Sequence, residues 1–287
     1  MIRVLGLGDN VVDFYVNKGE MFPGGNALNV AAHAALLGCR ASYLGCLGND
    51  DYQKVILRGL ESAGVDYSLC PVMEDGCTKV CRYEIIDGER RFLETDTGQK
   101  WAGPLSLTPE LIRAMEKYDL IHSCANAKME NERHKLKGLK AVLTYDFTEK
   151  EKYRTREYLE KICPGLDLAM FSLCEMGNQE IEAFAGQVRR LGTGHVLVTA
   201  GERGQYFSGP EYSLWNPASL VKAKDTMGAG DAFIACLGVT MCQAGWKKGK
   251  TLPKEAVRQG LALASTYASE NCMKEGGFTG QAERKNK

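Results

Sequence analysis

Short apolar runs that end in turns alternate with longer segments of helical character along most of the chain. Buried strands are predicted from the apolar runs, which read IRVLGLGD, ASYLGCLG, DLIHSCA, AVLTYDF, LAMFS and HVLVTAG. Helices are predicted between them, in the stretches GGNALNVAAHAALLG, DYQKVILRGLESAG, NQEIEAFAGQVRRLG and LPKEAVRQGLALASTYASEN. This alternation predicts an α/β fold with a mostly parallel sheet and helices on both faces.

Local signals mark where several of these segments begin or end. Asp50 precedes the second helix, and Thr108-Pro109 opens a helix that is predicted to run to about Lys117. Asp and Thr cap helices by accepting a bond from a first-turn N–H group, and Pro is favoured at the first helical position. The tail after Gly276 is polar and is expected to fray.

The stretch 77–97 departs from the α/β pattern. It is rich in β-branched and aromatic residues and carries Asp87-Gly88 at its centre, which is a strong hairpin signal. With residues 13–22 it is predicted to form a small β-sheet that serves as a lid on a single domain spanning 1–287. A second hairpin is predicted at GQYFSGPEYSLW.

Composition narrows the class of protein. Lys plus Arg and Asp plus Glu number 36 each, so gross charge suggests neither a nucleic-acid partner nor a membrane surface. No apolar run approaches the length of a membrane span, and the start of the chain does not resemble a signal peptide. The 11 scattered cysteines form no C-x-x-C motif, so we expect reduced thiols, no zinc site and a cytoplasmic location.

The stretch KAKDTMGAGDAF places an acid where an anion would be expected to bind. A glycine-rich turn feeding a helix leaves N–H groups free for a phosphate, and Gly228, Ala229 and Gly230 supply such a turn. Asp231 beside it would repel a bound phosphate. It is explained either as a helix cap or as a general base that deprotonates a hydroxyl attacking a phosphoryl group.

Two motifs resemble one known family. DTMGAGDAF resembles the C-terminal signature of the ribokinase-like carbohydrate kinases, the PfkB family, and GGNALNVAAHAALLG resembles its N-terminal signature. Between them, HVLVTAGERG resembles the strand and turn beside the nucleotide phosphates. The resemblance covers nearly the whole chain. It implies a three-layer α/β/α fold with a central, mostly parallel sheet and a small β-sheet lid, and an ATP-dependent transfer of phosphate to a sugar hydroxyl.

The resemblance also implies roles for residues at matching positions. Asp231 matches the catalytic base, and the anion hole matches Gly228, Ala229 and Gly230. The positions that hold sugar hydroxyls match Asp13, Gly24, Gly25 and Asn29, and Asn26, beside the two glycines, is interpreted as a further ligand contact.

The nucleotide and ion positions are implied in the same way. Thr199, Gly201 and Gly204 match the nucleotide-side turn, and Asp225 matches a position that helps to bind a monovalent cation such as K⁺ in some members. The acidic motif associated with Mg²⁺ is usually Asn-x-x-Glu, but this chain reads SLCE. Ser172 therefore replaces the asparagine while Glu175 remains, which implies Mg²⁺ held mainly through water and nucleotide phosphates.

Charged residues of the predicted lid are further candidates. Arg90 and Arg91 follow the hairpin turn and are either solvated or directed inward at a carboxylate of the substrate. Glu84 or Glu94 would then meet a positive group of the same substrate. Strand register decides which of these side chains face inward, and the sequence leaves that open.

Two residues outside the motifs have weaker signals. Asp146 follows the AVLTYDF strand, at the carboxyl end where ligands of α/β proteins collect, and is kept as a site candidate. His33 lies in an Ala-rich helix and is interpreted as a hydrogen-bonded core residue rather than a catalyst.

The acceptor is the least determined part of the prediction. The forms GDNVVDFY, GGNALNVA and DTMGAGD resemble the members that phosphorylate fructosamines, which implies the 6-hydroxyl of fructoselysine or a relative. Alternatives within the family are fructose, 2-keto-3-deoxygluconate and a nucleoside. A non-catalytic sugar-binding protein is a further alternative, against which the retained Asp231 argues. Because a lid sheet exposes one apolar face, a homodimer paired through the lids is expected.

Overall fold

Thirteen strands occur in the computed structural model, which describes residues 1–86 and 89–284. In chain order they are β1 (Arg3–Leu7), β2 (Val11–Tyr15), β3 (Glu20–Gly24), β4 (Arg40–Leu44), β5 (Val80–Ile86), β6 (Glu89–Asp96), β7 (Leu120–Cys124), β8 (Val142–Asp146), β9 (Leu168–Ser172), β10 (His195–Thr199), β11 (Gln205–Ser208), β12 (Ser213–Asn216) and β13 (Glu283–Arg284).

These strands form two sheets. The main sheet has eight strands in the order β12-β11-β10-β9-β8-β7-β1-β4, and all neighbours are parallel except β10 with β11 and β11 with β12. The hairpin predicted from GQYFSGPEYSLW thus forms the antiparallel edge of this sheet. The second sheet, which we call the lid sheet, has the order β13-β3-β2-β5-β6. Both sheets agree with the predicted fold class.

Seven α-helices of the described chain cover the main sheet on both faces. They are α1 (Asn26–Leu36), α2 (Asp51–Ala63), α3 (Pro109–Met115), α4 (Arg156–Ile162), α5 (Asn178–Arg190), α6 (Ala229–Gln243) and α7 (Lys254–Asn271). Helices α1, α2, α6 and α7 share one apolar core, whereas α3, α4 and α5 pack in a second core across the sheet. The three-layer prediction is confirmed. None of these helices is long and apolar enough to cross a membrane.

The predicted caps are present in two helices. The Asp50 carboxylate accepts a bond from the Gln53 N–H at 3.0 Å, and the Thr108 hydroxyl accepts one from Leu111. Each satisfies one of the first-turn N–H groups that a helix leaves without a partner. The helix after Thr108 ends at Met115, two residues earlier than expected.

The tail after Gly276 is packed at its start, and the expectation of fraying was wrong for Gly277 and Phe278, whereas residues 280–282 are exposed. Gly276 donates its N–H to the Asp225 carboxylate at 2.9 Å, and Phe278 is buried in the core shared by α1 and α6. Strand β13 then pairs with β3 at the edge of the lid sheet. These contacts are made by backbone groups and one aromatic ring, which a polar composition does not reveal.

A β-bulge sets which residues of the lid hairpin face the cavity below it. Cys81 pairs with Thr95 and Tyr83 pairs with Phe92, so that one residue of β6, Leu93, is passed over between them. Along the chain, the inward face of β6 therefore changes from even residue numbers (Arg90 and Phe92) to an odd one (Thr95) at this point. The predicted turn residues Asp87 and Gly88 lie outside the described residues.

Strand β1 packs closely against α1 at a glycine. Val4 faces the core of α1 and α6, Leu5 faces the opposite core, and Gly6 points back at α1. A Cβ atom at Gly6 would overlap the carbonyl oxygen of Ala27 and come within 3.0 Å of the Ala31 Cβ. Glycine at this position lets α1 approach the sheet.

We predict that Gly6→Ala lowers the free energy of unfolding by about 3 kcal/mol, because the added methyl group meets backbone atoms that cannot move aside. Urea unfolding followed by circular dichroism measures the change. Gly138→Ala is the matched control, since a Cβ there meets nothing within 4 Å, and its stability should stay within about 0.5 kcal/mol of the parent. Equal stability of the two variants would contradict the proposed close packing.

Candidate active site

An open cavity of about 820 Å³ lies between the carboxyl ends of the main-sheet strands and the lid sheet. Its walls come from the loop after β1, the start of α1, the inner face of the lid hairpin, the loops after β7 and β8, and the start of α6. Ligands of α/β proteins collect at this end of the sheet. The cavity is therefore the candidate active site.

Asp231 lies buried in the first turn of α6, at the floor of this cavity. Its Oδ1 accepts a hydrogen bond from Asn26 Nδ2 at 3.0 Å, and its Oδ2 accepts one from Asn29 Nδ2 at 2.8 Å. The cap position of α6 is held by Gly228, with φ of 70°, and no side chain caps the helix. The alternative in which Asp231 is merely a cap is therefore wrong.

The environment of Asp231 suits a base that works near neutral pH. Burial raises the pKa of its carboxyl to about 6, although the bonds from Asn29 and Asn26 oppose the shift, and the Asp9 charge adds to it. A base of this pKa is ionised at pH 7 and still holds a proton well enough to accept one in a transition state.

The Asn26 side chain links two acids. Its Nδ2 lies 3.0 Å from Asp231 and 3.2 Å from Asp146 Oδ2, while its Oδ1 accepts a bond from Asn126 Nδ2 at 2.9 Å. Burial, then the charge of Asp231, raises the pKa of Asp146 to about 8. Asp146 thus lies in the site, as its position at the end of β8 suggested.

Sequence reasoning missed two residues of this group. Asp9 accepts bonds from the backbone N–H groups of Asn26 and Ala27, at 3.3 and 3.1 Å, and so fixes the start of α1. Asn126 orients the Asn26 amide from the loop after β7. Both follow strands of the main sheet, so the argument that found Asp146 would have found them too.

Asp13 approaches the cavity from the lid sheet and is also buried. Burial raises the pKa of its carboxyl to about 7, with Arg90 opposing this shift and Asp225 adding to it. A Cβ at Gly24, on the neighbouring strand, would overlap the Asp13 carboxylate. Gly25, with φ of 112°, passes closely over the backbone of the loop after β1. The two glycines therefore leave room for the acid beside the start of α1.

The Asp225 carboxylate joins the lid sheet to the turn that opens α6. Oδ2 accepts bonds from the Tyr15 hydroxyl at 2.5 Å and from the Gly276 N–H at 2.9 Å. Oδ1 accepts bonds from Arg90 Nη1 at 3.2 Å and from the Met227 N–H at 2.9 Å. Four protein donors thus occupy both oxygens, and a monovalent cation at this carboxylate stays a prediction.

The bulge separates the two candidate arginines. Arg90 lines the cavity, where its guanidinium pairs with Asp225 and lies 5.2 Å from the centroid of the Tyr83 ring. Arg91 lies opposite Glu84 on the outer face of the hairpin. The predictions that Arg91, Glu84 or Glu94 faces into the cavity were therefore wrong. Glu94 instead pairs with Arg82 on the outer face of the hairpin, at 3.0 Å.

The predicted nucleotide residues lie beside the cavity at the end of β10. The Thr199 hydroxyl donates to Ser172 Oγ at 3.1 Å, and Ser172 lines the cavity. Gly201 and Gly204 have φ of 59° and 94° and form the turn after β10. Glu175 lies in the loop between β9 and α5, half exposed, with Oε1 bound by Arg154 at 2.7 Å.

Three lysines line the wall of the cavity that the loops after β7 and β8 form, which we call the core side. Lys150 donates to Asn126 Oδ1 at 3.1 Å, and Lys128 donates to the Tyr153 hydroxyl at 2.8 Å. Lys152 lies over the ring of Tyr153. Within the described residues none of the three forms an ion pair, so their charges are available to an anionic ligand.

His33 is a core residue, as expected. Its ring nitrogens lie 3.1 Å from the Tyr267 hydroxyl and 3.0 Å from the Gly277 carbonyl oxygen. Burial lowers the pKa of the imidazole to about 4, so it is neutral at pH 7.

Comparison with known proteins points to one family. A model described as pfkB family carbohydrate kinase matches residues 1–272. A fructosamine kinase, FrlD, of Bacillus subtilis (strain 168) is 30% identical over 280 residues, covering 96% of this chain and 93% of that protein. Fructoselysine 6-kinase of Escherichia coli (strain K12) is 31% identical over 264 residues, covering 90% and 94%. Fructokinase with bound ATP from Xylella fastidiosa superposes with a TM-score of 0.80 at 19% identity, covering 97% and 94%.

We predict that Asp225→Ala loosens the lid sheet, because it leaves the partly buried Arg90 guanidinium without its carboxylate and frees the Tyr15 hydroxyl. Hydrogen exchange of the β5 and β6 amides, measured by mass spectrometry, should become at least about tenfold faster. Asp96→Ala is the control: it removes an ion pair with Arg82 on the outer face, where such pairs contribute little. Unchanged exchange in Asp225→Ala would mean that other contacts hold the lid.

Proposed function

The chain belongs to the pfkB family of carbohydrate kinases, and we propose that it transfers a phosphoryl group from ATP to the 6-hydroxyl of a fructosamine such as fructoselysine. The observation that carries the proposal is the buried, amide-bound Asp231 beside the Gly228 turn at the floor of the cavity. An acid in that position opposes anion binding unless it takes part in the chemistry.

In the proposed reaction Asp231 accepts the proton of the sugar hydroxyl as that oxygen attacks the γ-phosphorus. The new P–O bond forms while the bond to the β-phosphate oxygen breaks, and ADP leaves. Of the three predicted donors at the start of α6, Gly228 and Gly230 have N–H groups without a backbone carbonyl partner in the described chain, and these are available to the charge on the transferred group. The third, the Ala229 N–H, donates to the Thr226 carbonyl oxygen at 3.3 Å. Asn26 and Asn29 hold the carboxylate toward the cavity.

The core side of the cavity suits the nucleotide phosphates. Lys128, Lys150 and Lys152 supply positive charge there, and Thr199, Gly201 and Gly204 are proposed to lie along the nucleotide. Mg²⁺, when bound with ATP, neutralises phosphate charge; Glu175 fits a water-mediated role, because Arg154 binds only its Oε1.

A potassium ion near Asp225 is proposed only for an arrangement in which Arg90 has withdrawn. In the structure Arg90, Tyr15 and two backbone N–H groups occupy the carboxylate. A cation requires oxygen atoms that are free to bind it, and both oxygens of the Asp225 carboxylate already accept hydrogen bonds from these donors.

The fructosamine assignment rests on the two relatives and on the size of the cavity. Both relatives are about 30% identical to this chain over most of its length. A volume of about 820 Å³ suits phosphates together with a sugar that carries a long substituent. Asp13, Gly24, Gly25, Asn26 and Asn29 are proposed to surround the sugar. Fructose, 2-keto-3-deoxygluconate and nucleosides are the other acceptors considered.

We propose that the protein is a single domain and that its lid sheet excludes water during the transfer, since water would otherwise take the phosphoryl group. Ile86, Phe92 and Leu93 of the hairpin are exposed apolar residues, and we propose that two copies pair through their lid sheets to cover such surface. The free thiols of the eleven cysteines fit a cytoplasmic location.

We predict that Asp231→Asn lowers kcat on the order of 10³-fold or more and leaves the Kd for ATP nearly unchanged, because an amide cannot accept the hydroxyl proton. A coupled ADP assay and calorimetry measure the two quantities. Asp51→Asn, also in the first turn of a helix but exposed, is the matched control and should keep parental turnover. Near-normal turnover in Asp231→Asn would remove this residue from the mechanism.

We predict that fructoselysine exceeds fructose in kcat/KM by about tenfold or more, because contacts to the amino-acid part add binding energy in the transition state. A coupled ADP assay over fructoselysine, other fructosamines, fructose, ribose, 2-keto-3-deoxygluconate and adenosine tests this. Equal or better activity with plain fructose or ribose would end the fructosamine assignment and leave the kinase assignment intact.

A further inference from the structure

We propose that Lys79 and Trp101, on the inner side of the lid hairpin, form the subsite that binds the carboxylate of the amino-acid part of the substrate. This inference rests on the proposed function. It replaces Arg90 and Arg91, the residues that the sequence suggested for this contact, because one is committed to Asp225 and the other lies on the outer face.

Strand alternation directs Lys79 into the cavity. Lys79, Cys81 and Tyr83 are alternate residues at the start of β5, and all three line the cavity wall. The Lys79 carbonyl oxygen accepts the Val12 N–H at 2.9 Å, which fixes its backbone against β2 and next to Asp13. The position of the ammonium group is therefore set by the lid sheet itself rather than by a loose loop.

The Lys79 ammonium is not neutralised by a direct salt bridge, although the nearby Asp13 carboxyl interacts with its charge. Its nitrogen lies 5.2 Å from the centroid of the Trp101 ring, and it makes no ion pair with any residue in 1–86 or 89–284. The ring holds a cation in place without neutralising it. A carboxylate that entered this corner would meet a positive charge already positioned beside an aromatic face.

The neighbouring wall suits the rest of an amino-acid substituent. Thr95 and Thr97 add hydroxyl groups on the same side of β6, and Phe92 adds an apolar face beside them. The Thr95 hydroxyl lies 3.5 Å from the Cys81 thiol, a weak partner that a polar atom of the substituent can replace, whereas the Phe92 ring and the Trp101 face suit its methylene groups.

The two ends of a fructosamine match the two ends of the cavity. A 6-hydroxyl at Asp231 places the sugar between the start of α1 and Asp13. The substituent on C1, at the other end of the ketose, then continues along the lid sheet, where Lys79 follows Asp13 across the β2–β5 pairing. The lysines of the core side lie at the phosphate end, beside Asn126 and Tyr153.

The test compares fructoselysine with fructosylcadaverine, the same molecule without its carboxylate. Their Kd values are measured by calorimetry with a non-hydrolysable ATP analogue present, and kcat/KM by the coupled ADP assay. The parent protein should bind fructoselysine about tenfold more tightly than fructosylcadaverine, as expected for a charge-assisted contact in a partly closed site. In Lys79→Gln this ratio should fall to about one, while Lys79→Arg keeps most of it.

Lys100→Gln is the matched control: it removes a positive charge one residue from Trp101, but its side chain is directed at Asp75 and is exposed. Its binding ratio and its turnover of fructose should equal those of the parent. A ratio near one in the parent, or an unchanged ratio in Lys79→Gln, overturns the subsite. Failure of the proposed function has a different signature, since no fructosamine would then be phosphorylated faster than fructose whatever the binding ratio.

Discussion

The carboxylate of Asp225 holds the lid sheet on the main sheet, and the geometry of the cavity depends on it. Tyr15 and Arg90 reach it from two strands of the lid sheet, and the Met227 and Gly276 N–H groups reach it from the core. A buried carboxylate is stable only when its partners are present, and removing one partner of such a pair typically costs about 3–5 kcal/mol. Because the Gly228 turn follows three residues later, the same contact fixes the turn that faces the phosphates.

Three acids are clustered at the floor of the cavity. Asp9, Asp146 and Asp231 lie together at the start of α1 and α6, where backbone N–H groups and the Asn26 and Asn29 amides donate to them. The Asn126 amide donates to the Asn26 oxygen and orients it. Burial raises the pKa of Asp231 to about 6, and the uncharged amide donors lower it only in part, so the carboxylate keeps the ability to take a proton. An arginine in their place would hold the carboxylate ionised but would make it a weaker base.

Local patterns predicted the parts of the molecule that local contacts determine. The strands, the caps at Asp50 and Thr108, the lid hairpin and the turn at Gly228 follow from short-range chemistry. The choice between Arg90 and Arg91 depended on a bulge that changes the inward face of β6 within the strand, and strand alternation does not reveal where a bulge occurs. The packing of Gly276 against Asp225 is a backbone contact across fifty-one positions of the chain, which composition does not indicate.

The residues proposed for phosphoryl transfer pack with one sheet and those proposed to contact the far end of the substrate belong to the other, which gives a physical reason why one fold accepts different sugars. The residues proposed for phosphoryl transfer lie on α1 and α6, which pack on the main sheet, whereas the proposed contacts to the far end of the substrate lie on the hairpin of the lid sheet. The hairpin meets the catalytic residues chiefly through Arg90 and the strand that carries Asp13. On the proposed assignment, changes at positions such as Lys79, Thr95 or Trp101 would alter which substituent the cavity accepts while the amide contacts that hold Asp231 remain as they are.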